Sequence, residues 1–155
     1  MSQGSPPPLK LDARGMTFAI CAARWNAGIV DRLLEGAQVA LKEAGASTQV
    51  YRCPGAFELA PLCGRVLRKG GLDGVIALGC LIRGGTDHYR VLADDLTRSL
   101  GMIALEAGIG PRPAAVTFGV LTCETERQAE ERAGKGAEFA RACIEQVVTL
   151  REVGP

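Results

Sequence analysis

The sequence predicts a single α/β domain in three layers, α/β/α, built on a parallel four-stranded sheet. Three apolar runs and one short strand segment alternate with segments of helical periodicity along the 155 residues, the order that yields parallel strands joined by crossover helices. The three runs are almost continuously apolar, as strands covered on both faces are, rather than alternating. No internal repeat or linker divides the chain, and its length suits one domain with a real core.

Residues 1–15 carry three consecutive prolines, two glycines and mixed charge. They read as a flexible arm ahead of a domain at 16–152, or as an extended strand completed by a partner subunit. TFAICAAR (17–24) is the first strand. In the following AGIVDRLLEGAQVALKEAG, Ile29, Leu33, Ala37, Ala40 and Leu41 share one helical face, and Gly45 is a stop. TQVYRC (48–53) is a short strand ended by Pro54-Gly55, and residues 58–69 read as a helix whose first turn is restricted by Pro61. GVIALGCLI (74–82) is the most apolar run and the expected central strand. A helix from about Asp87 to Glu106 follows, then the punctuation GIGPRP and a buried strand, AAVTFGVLT (114–122). ERQAEERA and GAEFARACIEQVVTLRE give one interrupted helix or two successive ones.

Composition excludes several classes of partner. With 18 Lys plus Arg against 17 Asp plus Glu, the chain gives no electrostatic reason to expect nucleic acid or an anionic membrane. The six cysteines lie singly, without the paired spacing of a zinc site, and with one histidine no metal site is expected. Lone cysteines in apolar surroundings read as buried free thiols in a reducing compartment. MSQGSPPPLK has no apolar signal region, and no apolar run approaches a membrane span. A soluble, cytoplasmic protein is expected.

In parallel α/β sheets ligands bind beyond the carboxyl ends of the strands. That rule selects ARWN (23–26), CPGAFE (53–58), LIRGGTDH (81–88) and TCETERQ (122–128) as walls of a pocket. In GGTDH, Gly84 and Gly85 let backbone N–H groups approach an anion at a helix start, and Thr86 would cap that helix or donate to a phosphate. His88, the only histidine, would sit in the first turn and shuttle protons near neutral pH. The same residues also fit a plain capped loop with a surface histidine, since this is no Walker A motif. Trp25 would stack on a flat heterocycle, or serve as a core or interface anchor. Glu58 suits a ligand, and suits the dipole of the helix it precedes equally well. Arg127 and Arg132 lie in a charged, solvated helix. Together these residues favour a small planar substrate and a phosphate at one edge of the sheet.

RWN (24–26), PGAFE (54–58), ALGCLIRGGTDHY (77–89), FGVLT (118–122) and ERQAEERAG (126–134) stand in the order and at the strand ends where they resemble the lumazine synthase family, over roughly residues 16–150. The resemblance implies a flavodoxin-like sheet and a transferase of riboflavin biosynthesis. That enzyme condenses 5-amino-6-(D-ribitylamino)uracil with 3,4-dihydroxy-2-butanone 4-phosphate to give 6,7-dimethyl-8-ribityllumazine and phosphate. It further implies that His88 moves protons, that Trp25 stacks on the pyrimidine, and that Asn26, Ala56, Phe57 and Glu58 line the ring and its ribityl chain. Backbone groups of Cys80, Leu81 and Ile82 would read the pyrimidine edge, and Gly85, Thr86 and Arg132 would hold the phosphate. Phe118 would close the stack and, with Arg132, would come from the neighbouring subunit of a homo-oligomer. No cofactor or metal is implied.

Two departures stand out. Family members that close into icosahedral shells carry a longer linker, G-[TG]-K-[AH]-G-N, where this chain passes from Arg132-Ala-Gly directly to Lys135-Gly136. The shortening predicts a pentamer or a pair of pentamers rather than a shell. Trp25 stands where many relatives have phenylalanine, which preserves stacking. Two other readings use the same pocket: an archaeal-type riboflavin synthase, which needs no phosphate site, and a non-catalytic lumazine- or flavin-binding module.

Overall fold

A computed structural model describes residue 7 and residues 9–155. Four strands, β1 (Thr17–Ala23), β2 (Ser47–Cys53), β3 (Gly74–Ile82) and β4 (Ala115–Cys123), form one sheet in the order β2-β1-β3-β4. Every pairing is parallel: β1 with β2 from Thr17↔Ser47 to Ala23↔Cys53, β1 with β3 from Phe18↔Gly74 to Ala22↔Leu78, and β3 with β4 from Gly74↔Ala115 to Ile82↔Cys123. β3, the most apolar run, is an inner strand, because only an inner strand is shielded on both edges and both faces.

Helices α1 (Ala27–Glu43), α2 (Leu59–Lys69), α3 (His88–Gly108), α4 (Glu126–Arg132) and α5 (Gly136–Val153) complete the fold. The chain steps one way across the sheet from β1 to β2, then the other way to β3 and β4. Right-handed crossovers therefore put α1 on one face and α2 and α3 on the other. Alternate strand residues feed the two sides. Ile20, Ile76 and Leu78 pack with Val30, Leu33 and Leu41 of α1 and with Cys143, Ile144 and Val147 of α5. Ala19, Cys21, Val75 and Ala77 pack with Leu59, Cys63 and Val66 of α2 and with Leu96 and Leu100 of α3. Each fully buried Leu, Ile or Val side chain contributes about 1.5–3 kcal/mol, so the two cores dominate the folding free energy. The three-layer α/β/α architecture and the parallel four-stranded sheet are as the sequence predicts.

The C-terminal segment resolves into two successive helices. Between them lies a single 3-10 turn, Ala133–Lys135, so the short linker delivers the chain straight into α5. Part of the arm expected over residues 1–15, namely residues 1–6 and 8, lies outside the described residues. Nearer the domain, Ala13 is fully buried and its N–H donates to the Ala44 carbonyl at 2.8 Å.

α5 crosses α1 where two glycines remove the side chains that would hold the helices apart. A Cβ at Gly136 would overlap the Leu33 carbonyl oxygen, and one at Gly36 would lie 3.2 Å from the Ala137 nitrogen. A backbone carbonyl inside a helix has no room to retreat. Gly136→Ala should therefore lower the unfolding free energy by about 3 kcal/mol or more, at the severe end of overpacking. Gly134→Ala, where a Cβ meets nothing within 4 Å, should stay within about 0.5 kcal/mol. Urea midpoints compare the two, and equal losses would refute this account of the helix crossing.

Candidate active site

The sheet has one topological switch point, between β1 and β3, and the strand-end segments anticipated above surround it. Beyond the rung Ala22↔Leu78 the two strands part, and β3 runs on to Ile82 with no rung to β1. β1 instead turns toward β2: the N–H groups of Arg24 and Trp25 both donate to the Pro54 carbonyl, at 3.2 and 3.1 Å. A gap opens between the β1 end and the last turn of β3.

Asn26 bridges that gap. It is the only non-glycine residue with positive φ among the described residues, at φ 57° and ψ 43°. Asparagine tolerates this left-handed conformation better than most residues. Its Nδ2 donates to the Cys80 carbonyl at 2.8 Å, and its own carbonyl accepts from Ile29 and Val30 at 3.0 Å to start α1. The sharp turn leaves Trp25 with 74% of its surface exposed, a large apolar area for one chain to leave uncovered.

On the β2 side, Ala56 is buried, Phe57 is exposed, and Glu58 is the N-cap residue of α2. The Glu58 carboxylate accepts from the Gly55 N–H at 3.0 Å. A Cβ at Gly55 would lie 3.2 Å from Glu58 Oε2 and 3.3 Å from Trp25 Cδ1. The missing side chain is therefore what lets the indole and the carboxylate converge over one backbone. The sequence marks Gly55 as a strand stop beside Pro54 and as part of PGAFE, not as the point of this close approach.

On the β3 side, Cys80 and Leu81 are buried and Ile82 half-buried, while Gly84, Gly85, Thr86 and His88 are exposed in the loop and first turn that follow. Asp87, not Thr86, is the N-cap residue of α3, and its side chain makes no capping bond. The helix starts one residue later than expected, which corrects the capping role given to Thr86 and leaves that residue in the loop. Arg83 carries the ladder one step on by donating its N–H to the Cys123 carbonyl at 2.9 Å, and its guanidinium pairs with Glu124 at 3.0 Å. Both side chains are more than half exposed, so the pair orients the loop more than it stabilises the fold.

Arg132 ends α4 close to the β4 terminus. Its Nη1 donates to the Gln128 carbonyl at 2.9 Å, and its guanidinium opposes the upward push that burial gives the Cys123 thiol. Gln128 also accepts from the Glu124 N–H at 2.9 Å while its own N–H donates to Thr125 Oγ1 at 3.3 Å. This reciprocal cap is legible in T-x-x-Q, a signal the sequence reading did not use. Phe118 is not brought to this edge within one chain. It pairs with Ala77 in mid-strand, five residues before the level of Ile82, or roughly 16 Å along the strand. It is 36% exposed there.

A cleft of about 1330 Å³ opens elsewhere, between α2 and α3 at the amino ends of the strands, and is lined by Thr17, Arg65, Arg68, Asp73, Met102 and Arg112 among others. None of the anticipated site residues lines it. Converging polar groups and the switch point, not volume, locate the candidate site. Among the described residues no group of three or more His, Cys, Asp or Glu is arranged to hold a metal ion.

Comparison with known proteins identifies the family. The family model described as 6,7-dimethyl-8-ribityllumazine synthase matches residues 15–151. The chain is 46% identical to the 6,7-dimethyl-8-ribityllumazine synthase of Myxococcus xanthus (strain DK1622), over 84% of this chain and 83% of the relative. It is 44% identical to that of Anaeromyxobacter sp. (strain Fw109-5), over 92% and 89% respectively, and 43% identical to that of Kineococcus radiotolerans, over 100% and 98%.

Two thiols lie behind the site. Burial pushes Cys53 up to about 11, and burial with the neighbouring Cys123 pushes Cys80 up to about 11. Both stay protonated near neutral pH, where a thiol is a poor nucleophile. Because the folded values lie above the unfolded value of about 8.5, their contribution to stability is present below that pH and is lost as pH rises toward 11. Iodoacetamide at pH 8 should leave Cys53 and Cys80 unmodified while the urea-unfolded chain is alkylated, as read by mass spectrometry. Rapid modification of either thiol in the folded protein would contradict the assignment.

Proposed function

The chain belongs to the 6,7-dimethyl-8-ribityllumazine synthase family, and from that premise we propose how its switch-point site condenses 5-amino-6-(D-ribitylamino)uracil with 3,4-dihydroxy-2-butanone 4-phosphate. The observation that carries the reading is the convergence of the Trp25 indole and the Glu58 carboxylate over Gly55, just past the point where β1 parts from β3. An aromatic face, an acceptor and a free strand edge suit a flat heterocycle bearing a polyol chain.

In this reading the pyrimidine stacks on Trp25, Ala56, Phe57 and Glu58 line the ring and ribityl chain, and Asn26 holds the turn beside them. Glu58 accepts from ribityl hydroxyls, and the end of β3 from Cys80 to Ile82 meets the pyrimidine edge through its free backbone groups. The phosphate lies on Gly85 and Thr86 with Arg132. The 5-amino group attacks the butanone carbonyl, and loss of water leaves an imine. Proton removal from the carbon skeleton then expels phosphate, and the ribitylamino nitrogen closes the second ring with loss of another water. Both reactants bring their own reactivity, so orientation supplies most of the rate, on the order of several kcal/mol. His88, at the start of α3 beside the phosphate loop, carries protons between these steps.

Phe118 and Arg132 are assigned to a neighbouring subunit's site, in a pentamer or a pair of pentamers. The mid-strand position of Phe118 supports this, as do the exposed Val91, Met102, Leu105 and Ile109 on and just after α3. The single 3-10 turn between α4 and α5 supports the smaller assembly over a shell. A cytoplasmic location fits six buried free thiols, and among the described residues no helix is long and apolar enough to cross a membrane. Residues 16–152 would form the working domain, with 1–15 as its arm.

Mixing the two substrates should release phosphate and build lumazine absorbance in step. Binding without phosphate release would favour a non-catalytic module, and riboflavin formed from lumazine alone would favour a riboflavin synthase. His88→Ala should lower kcat by roughly 10²-fold with substrate affinity retained, since the histidine moves protons rather than holding the ring. An unchanged kcat would remove its role.

A further inference from the structure

We propose that Asn26 is a positioning residue, whose amide acts on the reaction through the Cys80 peptide rather than by touching substrate. The proposal rests on the reading of the switch-point site just given. In a parallel strand the N–H and C=O of one residue point to the same side, and successive residues alternate. Arg83 donates toward β4, whereas the Cys80 carbonyl is taken from the other side by Asn26. Odd-numbered residues at this end of β3 therefore face the β4 ladder, and Cys80 and Ile82 face the gap left by β1. The Leu81 peptide is committed to β4 in its register with Thr122 and is withdrawn from the heterocycle. What the gap offers is the Cys80 N–H together with the N–H and C=O of Ile82.

An unpaired strand end of this kind is the part of a sheet that frays first. Asn26 replaces the missing rung: its Nδ2–Cys80 bond, at 2.8 Å, ties β3 to the turn that aims Trp25. The left-handed backbone of the same residue sets that turn. One residue thus fixes the distance between the surface that meets the face of the ring and the groups that meet its edge. One of the two Nδ2 hydrogens is committed to Cys80, so the amide is held against the strand.

Two variants separate the pin from the turn. Asn26→Gly adopts the left-handed backbone without strain but has no amide. Asn26→Asp keeps size and turn preference, yet its ionised carboxylate cannot donate to a carbonyl. Both should raise KM for the uracil substrate about tenfold, the value of one hydrogen bond, and leave KM for the butanone phosphate within about twofold. In the Gly variant, hydrogen–deuterium exchange should quicken across residues 80–82 while the melting temperature stays near that of the parent. A loss confined to the melting temperature, a wild-type KM for the uracil, or equal shifts in both KM values would overturn the proposal. If the parent protein released no phosphate, the functional reading would fail by itself. The exchange measurement would still decide the pin, with unchanged protection at 80–82 in the Gly variant counting against it.

Discussion

Past the Ala22↔Leu78 rung, β1 keeps its pairing with β2 and parts from β3. The consequence is an apolar strand end whose backbone groups lack a neighbour, held at the edge of two packed cores. Such groups are costly to leave dry and unpaired, so they need water, a side chain or a ligand. Asn26 answers for one of them and leaves the others available. A site built this way is rigid, because its walls are the ends of core strands, and selective, because its donors are fixed by sheet geometry.

The cores beneath explain why so little of the site's chemistry comes from reactive side chains. Six cysteines are present, and every one is free and buried. Those nearest the site, Cys53 and Cys80, are held protonated by burial. In this account their task is volume. Cys53 packs with Ala23, Ala56 and Ala60 in the core under α2, and Cys80 packs with Cys123 in the core on the opposite face. Glycine does the complementary work: its absence of a side chain brings α5 onto α1 at Gly136 and brings the indole beside the carboxylate at Gly55. For a condensation between two reactants that need only to be aligned, a quiet, close-packed scaffold is an adequate catalyst.

Much of this was legible in the residues. The strands lie within one residue of those expected: the near-continuous apolar runs mark β1, β3 and β4, while β2, an exposed edge, is marked by the Pro54-Gly55 stop that ends it. The helix ends were harder. Capping at α3 shifted from Thr86 to Asp87, since a run of glycine, threonine and aspartate offers several near-equal starts. The strand-end rule located Trp25, Asn26, Glu58 and the loop to His88 at one edge. It could not reveal that Asn26 is left-handed or that its amide reaches Cys80, 54 residues away, because that bond exists only once β1 and β3 lie side by side. Phe118 sits mid-strand, so its part in the site depends on how copies of the chain meet, which no local pattern encodes.

Trp25 is the chain's only tryptophan, so tryptophan emission, excited selectively over the two tyrosines, reports on one wall of the gap. Titrating the assembled protein with 6,7-dimethyl-8-ribityllumazine, and separately with the ribitylamino-uracil, measures directly whether a heterocycle lies on that ring. Saturable quenching by both compounds, with the uracil displacing the lumazine, is what the account predicts. Emission that stays unchanged while either compound binds would place the heterocycle elsewhere and contradict it.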